Sequence, residues 1–209
     1  MQLPLLNHPT WRRWLLKPLA FFAMLWPFAD LLHGAVTASL GADPQKVIML
    51  TTGRWALYSL MMCLSMTPLR LLTGQPAWIA FRRMLGLFSF FYLCLHLTTF
   101  VVLYMGLEWR NIGAEIIERP YITVGMLAFL LMLPLAITSN RYSMRKLGRR
   151  WHKLHRLVYV IAVLGVWHYF WQVKSDLNQP VLFIFILSLL FGLRIYNRFF
   201  GGRQAVKSQ

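Results

Sequence analysis

The chain has 209 residues, of which 58% are hydrophobic and only 13% charged, and its formal net charge is +16. Soluble domains carry about 25% charged residues, so this composition indicates an integral membrane protein. A large positive charge can also indicate nucleic-acid binding. Here, however, the basic residues fall in short segments between apolar runs instead of covering one soluble face. The composition therefore predicts a protein of the lipid bilayer that binds no nucleic acid.

Six apolar runs follow one another along the chain, and each is close to the length needed to cross the hydrocarbon core of a bilayer as a helix. The predicted spans are approximately 15–34, 47–69, 84–107, 121–139, 152–172 and 180–200. The connections between them are short, and no segment has the composition of a second, soluble domain. We therefore expect residues 1–209 to form one all-α domain, a six-helix transmembrane bundle.

The charged residues divide unequally between the two ends of these spans. If the N-terminus is inside, the cytoplasmic segments hold 17 of the 22 basic residues: Arg12, Arg13, Lys17, Arg70, Arg82, Arg83, Arg141, Arg145, Lys146, Arg149, Arg150, Lys153, Arg156, Arg194, Arg198, Arg203 and Lys207. All six acidic residues fall on the opposite half: Asp30, Asp43, Glu108, Glu115, Glu118 and Asp176. The positive-inside rule therefore predicts that both termini are cytoplasmic.

Three histidines inside the spans are candidate functional residues, because an imidazole in hydrocarbon is costly and often marks a functional site. His96 on the third span and His168 on the fifth lie about 18 and 24 Å from the cytoplasmic end. At this similar depth they are predicted to hold one haem between two helices, in the outer half of the bundle. His155 lies near the cytoplasmic end of the fifth span. It is either a cofactor ligand or an anchor at the headgroups, because the residues at its depth on the third span are arginines.

Arg54 lies inside the second span, where a charged side chain needs a partner. A haem propionate or a quinone oxygen would serve, and Asp30 or Asp43 would serve equally well. A transmembrane metal or proton transporter is the alternative function, since it would also place histidines inside helices. Such a transporter usually has carboxylates along its path, whereas only Asp30 lies well inside a run.

An ordered series of short motifs runs from about residue 40 to residue 175. It includes Thr52-Gly53-Arg54-Trp55-Ala56-Leu57, Arg82-Arg83-Met84-Leu85-Gly86-Leu87, Leu95-His96-Leu97-Thr98, Arg119-Pro120-Tyr121-Ile122-Thr123-Val124-Gly125, Leu154-His155-Arg156-Leu157-Val158-Tyr159 and Trp167-His168-Tyr169. This series resembles the MsrQ family (formerly YedZ), the haem-binding membrane subunits of bacterial periplasmic methionine sulfoxide reductase systems. That family is similar in fold to the transmembrane domain of ferric reductases and NADPH oxidases.

The resemblance implies a multi-pass, b-type cytochrome of the bacterial inner membrane, an electron-transfer subunit and not the catalytic one. It would pass electrons to a periplasmic molybdopterin-dependent reductase that repairs methionine sulfoxide in periplasmic proteins. The electrons would come from membrane quinol or from a separate cytoplasmic flavin reductase, because no flavin and nicotinamide domain follows the last apolar run.

The resemblance also assigns the cofactor-binding residues. Haem ligation, and so the iron, would map onto His96, His155 and His168. Arg82 stands where the wider ferric reductase group has a second histidine on the third helix, which argues against a conventional second haem with two histidine ligands. One haem b, or two, is therefore expected. The family is described as binding FMN as well, although the chain has no Gly-rich phosphate loop. Arg54 and Arg82 complete the predicted cofactor-binding residues.

Overall fold

The structure is a computed structural model that describes residues 9–173 and 177–206. Asp176 and Lys207, which contribute to the predicted orientation, lie outside the described residues. Within these two ranges the regular secondary structure is entirely helical. The all-α prediction is confirmed.

The helices are numbered in chain order. They are α1 (Arg12–Val36), α2 (Pro44–Thr73), α3 (Pro76–Tyr104), α4 (Trp109–Glu118), α5 (Pro120–Ile137), α6 (Arg141–Leu147), α7 (Arg149–Gln172) and α8 (Asn178–Val206). Over the described residues six of them, α1, α2, α3, α5, α7 and α8, are long and apolar enough to cross a membrane. This confirms the predicted six spans, while the direction of the bundle in the membrane stays a prediction. The short helices α4 and α6 lie in connections for which the apolar runs predicted no helix.

The ends of α2 show how local sequence defines an element. Asp43 caps its N-terminus, with the carboxylate accepting a hydrogen bond from the Lys46 amide at 3.0 Å. Pro44 follows at the first helical position, where a missing N–H costs nothing. At the other end Gly74 adopts a left-handed conformation (φ 68°) that a glycine tolerates without strain. These signals place the span between residues 44 and 73.

α3 differs from its prediction at both ends. It begins at Pro76 instead of residue 84, so Arg82 and Arg83 lie within the helix and not at its start. The segment Thr99–Tyr104, directly after the turn that holds His96, widens into a π-helix. π-helical turns are rare in proteins overall, but those that occur are often found near functional sites.

α7 is one candidate span with an irregular turn at His155 and Arg156. There the amide of Arg156 bonds to the carbonyl of Lys153, and the amide of Tyr159 bonds to the carbonyl of Arg156. Both bonds reach back three residues instead of four, so the helix is locally tightened. The predicted run 152–172 is therefore helical on both sides of His155 but not regular through it.

Two apolar clusters hold the bundle together, and α2 contributes to both. One joins α2 with α5, α7 and α8, and the other joins α2 with α1 and α3. Small residues allow close approach of the helices, as where the Ser89 hydroxyl donates to the Ala56 carbonyl at 2.9 Å. The fully buried Tyr92 donates its hydroxyl to the Met24 carbonyl at 2.6 Å and so links α3 to α1.

One contact between α2 and α8 replaces a backbone hydrogen bond that is missing from α2. Pro68 has no N–H, so the Leu64 carbonyl one turn earlier lacks its usual helical donor. The Arg194 guanidinium donates to that carbonyl from Nη2 and to the Leu190 carbonyl from Nη1. In a membrane each unsatisfied carbonyl is expensive, so a side chain from a neighbouring helix takes the role of the missing amide.

Candidate functional site

The structure brings His96 of α3 and His168 of α7 together inside the bundle. Their ring centroids are 6.1 Å apart and the two ring planes are nearly perpendicular, at 82°. Both side chains are partly buried. The shared depth that the sequence indicated thus corresponds to direct contact between the two imidazoles.

Each of these rings is held by a backbone carbonyl of an adjacent helix. His96 Nδ1 lies 3.0 Å from the Met49 carbonyl of α2, and His168 Nδ1 lies 2.7 Å from the Tyr121 carbonyl of α5. A carbonyl oxygen can only accept, so Nδ1 must be the protonated nitrogen in both rings. In the neutral imidazole Nε2 then keeps its lone pair, and this is the arrangement that metal-binding histidines adopt.

A glycine lies against each ring, one helical turn after the carbonyl that holds it. A Cβ added at Gly53 would lie 3.0 Å from Cε1 and Nδ1 of His96, and one added at Gly125 would lie 2.8 Å from Nδ1 of His168. Real Cβ atoms are almost never found closer than the first of these distances. A side chain at Gly125 would therefore force the His168 ring to shift, and one at Gly53 would require the His96 ring to give way by a few tenths of an ångström.

The two half-sites repeat the same sequence spacing. Met49, Gly53 and His96 are each followed 72 residues later by their counterparts, Tyr121, Gly125 and His168. The α2–α3 pair and the α5–α7 pair therefore present their histidines in equivalent ways. The sequence analysis singled out the two histidines but missed these carbonyls and glycines. A signal was available, since Gly53 and Gly125 interrupt apolar runs at equal distances before the two histidines.

The donor set fits one haem iron. Two imidazoles that bind one metal from opposite sides, each through a nitrogen about 2.0 Å away, have centroids roughly 6 Å apart. Over the described part of the chain no group of three or more His, Cys, Asp and Glu residues is placed to hold a metal ion. Two histidines alone do not make the three- or four-ligand sites typical of zinc, whereas a haem brings its own four equatorial nitrogens.

Arg54 follows Gly53 on α2 and is partly buried. Its Nε donates to the Leu50 carbonyl of its own helix at 3.3 Å. Neither of the acidic partners considered from the sequence lies within ion-pair distance, since Glu115 with Arg119 forms the one ion pair between side chains that the structure describes. The Asp43 carboxylate instead caps α2. Arg54, which follows the glycine that contacts His96, therefore has a guanidinium without a carboxylate partner from the described part of the chain.

A second polar cluster, which we call the basic cluster, surrounds Arg82. Arg82 is close enough to interact electrostatically with His155, Arg194 and the Cys63 thiol. The Arg194 guanidinium also stacks over the Tyr159 ring, with its carbon 5.5 Å from the ring centroid. No carboxylate is among these neighbours. The sequence analysis assigned Arg194 only to topology and did not connect it with Arg82.

His155 is held differently from the other two histidines. Its Nε2 lies 3.0 Å from the Thr138 hydroxyl, and that hydroxyl already donates to the Pro134 carbonyl at 2.6 Å. The hydroxyl must therefore accept, which places the proton on Nε2 and leaves Nδ1 unprotonated in the neutral ring. The ring also stacks on Trp151 at a centroid distance of 3.9 Å. His155 thus presents the opposite tautomer to His96 and His168.

Comparison with known proteins first defines the class. Residues 52–166 match the family model described as "Ferric reductase like transmembrane component". The match covers more than half of the chain and includes His96 and His155, and it ends two residues before His168. The chain therefore belongs to the ferric-reductase-like transmembrane proteins.

Two curated relatives define the family within that class. Both are named "Protein-methionine-sulfoxide reductase heme-binding subunit MsrQ". The relative from Xanthomonas campestris pv. campestris (strain B100) is 52% identical over 160 residues, which are 77% of this chain and 73% of the relative. The relative from Xanthomonas euvesicatoria pv. vesicatoria (strain 85-10) is 48% identical over 183 residues, 88% of this chain and 83% of the relative. The chain belongs to the MsrQ family. No solved structure matches it significantly.

Proposed function

We propose that this protein is a b-type haem electron-transfer subunit in which His96 and His168 would hold one haem. The observation that supports it best is the contact between the two imidazoles, 6.1 Å apart with both Nδ1 atoms bonded to backbone carbonyls. The relatives' printed name, a haem-binding subunit, supports the same assignment.

A bound haem supplies a one-electron Fe(III)/Fe(II) couple, and the chain's own residues adjust its environment. The Met49 and Tyr121 carbonyls fix the tautomer of the two histidines and make each Nε2 a better donor. Gly53 leaves the space that the His96 ring occupies. Arg54 provides a cation in a low-dielectric region for an anionic group such as a propionate.

We assign the electron entry to the basic cluster. Arg82, Arg194 and His155 offer positive charge or hydrogen bonds without an acidic neighbour among the described residues, which favours an anionic or oxygen-rich redox group. Candidates are membrane quinol, FMN that a cytoplasmic flavin reductase has reduced, or a second haem. Arg82 does not normally ligate iron, so a second haem would not have two histidine ligands here.

The electron acceptor in this proposal is a periplasmic molybdopterin-dependent methionine sulfoxide reductase, which would repair oxidised periplasmic proteins. The relatives' names, which refer to protein-methionine-sulfoxide reductase, support this partner. The protein would then lie in the bacterial inner membrane with its histidine pair towards the periplasm. Its role would be electron delivery, while the partner carries out the reduction of the sulfoxide.

The test is to replace each of the two proposed haem-binding histidines separately. The variants His96→Ala and His168→Ala should lose most of the b-type haem absorbance per mole of purified protein, because two ligands are needed for a low-spin site. His152→Ala is the matched control, since His152 is an exposed histidine of the same helix α7 as His168. Wild-type haem content in both the His96→Ala and the His168→Ala variants would contradict the proposal.

The variant His155→Ala tests the entry end in the same preparation. It should retain the haem absorbance but slow its reduction by quinol or by a flavin reductase with reduced FMN. If His155 is only a structural anchor, Trp151→Phe should have the same effect, because it removes the bond from Trp151 Nε1 to the Thr138 carbonyl at 2.9 Å. Unchanged reduction kinetics in His155→Ala would remove this residue from the pathway.

A further inference from the structure

A groove of about 500 Å³ runs between α1 and α3 on the outside of the bundle. Lys17, Phe21 and Leu25 line it from α1, at positions that are one helical turn apart. Residues from α3 line the other wall, among them Arg83 and Phe91. Neither the histidine pair nor the basic cluster contributes to the groove, so it is independent of the proposed function.

The two walls match in length and in chemistry. Lys17 and Leu25 are eight residues apart on α1, and Arg83 and Phe91 are eight residues apart on α3, so each stripe rises roughly 12 Å. α1 and α3 run in the same direction, because the antiparallel helix α2 connects them. The two cations therefore lie at the same end of the groove, and apolar side chains line the remainder.

Aromatic side chains form the floor of the groove. The rings of Phe21 and Phe88 are in contact, with centroids 5.1 Å apart. Beyond them the bond from the Tyr92 hydroxyl to the Met24 carbonyl ties α1 to α3. This floor and the stripes above it offer an apolar surface suited to an acyl chain.

The charged end of the groove lacks a counter-ion from the protein. Within the described residues the side chains of Lys17 and Arg83 form no hydrogen bond or ion pair, and no carboxylate lines the groove. Two cations at headgroup level above an apolar groove complement a ligand with an anionic head and an apolar tail. We propose that the groove binds one anionic phospholipid, with its phosphate between Lys17 and Arg83 and an acyl chain along the phenylalanines.

A quinone fits the groove less well. Its ring carries no charge to match two cations, and a quinol needs a nearby group that can accept a proton. Of the residues that the structure describes, no His, Asp or Glu lines the groove. The observed chemistry therefore favours a phosphate over a quinone head.

Native mass spectrometry of the purified full chain tests the proposal. The protein is incubated in mild detergent with equal amounts of phosphatidylglycerol and phosphatidylethanolamine that carry the same acyl chains. The wild type should retain one phosphatidylglycerol preferentially. Lys17→Gln/Arg83→Gln should lower that preference about 30-fold, since each cation near a membrane surface contributes roughly a fivefold factor.

Two control variants separate the groove from general effects of charge. Arg145→Gln/Arg149→Gln removes two exposed cations elsewhere and should keep the wild-type preference. Lys17→Arg/Arg83→Lys keeps the charges and should keep it too, and size-exclusion chromatography with thermal unfolding verifies that each variant is folded. A folded Lys17→Gln/Arg83→Gln variant with the wild-type preference would overturn the proposal. So would a wild type without preference, or one that retains a quinone which the double variant loses.

Discussion

At the scale of single residues, the position of the His96–His168 pair depends on backbone carbonyls and glycines of the neighbouring helices. Each ring donates a hydrogen bond to a carbonyl in one turn of the neighbouring helix. It also packs against a glycine in the next turn of that helix, where no side chain occupies the space. The carbonyl orients the ring and the absent Cβ makes room for it. Gly53 and Gly125 are therefore positioning residues, although neither is polar or reactive.

This arrangement predicts that adding a single methyl group will weaken haem binding. Gly125→Ala places a Cβ 2.8 Å from His168 Nδ1, and Gly53→Ala places one 3.0 Å from His96. The haem affinity should fall about tenfold or more, as is usual when the support of a metal ligand is disturbed. Titration of the apoprotein with haem, followed by absorbance, measures the change.

The control is Gly86→Ala, where the new Cβ would meet only the Cys63 sulfur, at an ordinary 3.5 Å. Alanine is a better helix former than glycine by about 1 kcal/mol, so loss of helical propensity cannot explain a loss of haem. Equal haem affinity in Gly125→Ala and Gly86→Ala would show that the contact with His168 has no influence.

At the scale of the helices, the link between α2 and α8 joins a proline to a distant arginine. Pro68 removes the donor for the Leu64 carbonyl, and Arg194 replaces it. Nε of Arg194 is buried without a partner among the described residues, so the side chain is held mainly by its Nη atoms and by Tyr159. α8 is thereby fixed against the middle of α2.

The link predicts a coupling between two substitutions. Arg194→Leu should destabilise the protein by about 1–3 kcal/mol, because the buried Leu64 carbonyl loses its donor. Pro68→Ala restores an amide at the position from which helices normally satisfy that carbonyl. The double variant should therefore recover part of the loss, and a double-mutant cycle of unfolding in mixed detergent measures the recovery. Strictly additive effects would mean that Arg194 does not act through the Leu64 carbonyl.

At the scale of the whole molecule, the charge distribution predicts one orientation. Six spans put both termini on the same side of the membrane, and the positive-inside rule places that side in the cytoplasm. α4, which carries Glu115, lies in the connection after the third span, and Arg149 begins the fifth. The two residues therefore lie at opposite faces of the bundle.

Reporter fusions test this orientation. Alkaline phosphatase, which is active only in the periplasm, should give a signal when fused after Glu115 and none when fused after Arg149. A fluorescent protein that folds only in the cytoplasm should give the reverse result and serves as the control for expression. Phosphatase activity from the Arg149 fusion would reverse the proposed direction of electron flow.

Much of the architecture could be predicted from the sequence because its causes are local. A membrane span needs about 20 apolar residues in succession, and all six runs became helices. The ends of the helices were predicted less accurately than their number. The charges of Arg82 and Arg83 suggested that the third helix starts after them, yet α3 begins at Pro76. Arginines can lie inside a helix because their long side chains reach back to the headgroups. No feature of the sequence predicted the irregular turn at His155.

The sequence by itself determined the class of protein, the six spans, the charge asymmetry and the depth at which His96 and His168 lie. Only the tertiary structure decided that the two rings touch, which carbonyls hold them, and that His155 presents the opposite tautomer. The physical reason is that depth follows from counting residues along a helix, whereas contacts depend on how each helix is rotated and packed. Both Nδ1 bonds join residues 47 positions apart on different helices. Such pairs are set by side-chain packing across the bundle, which no single segment encodes.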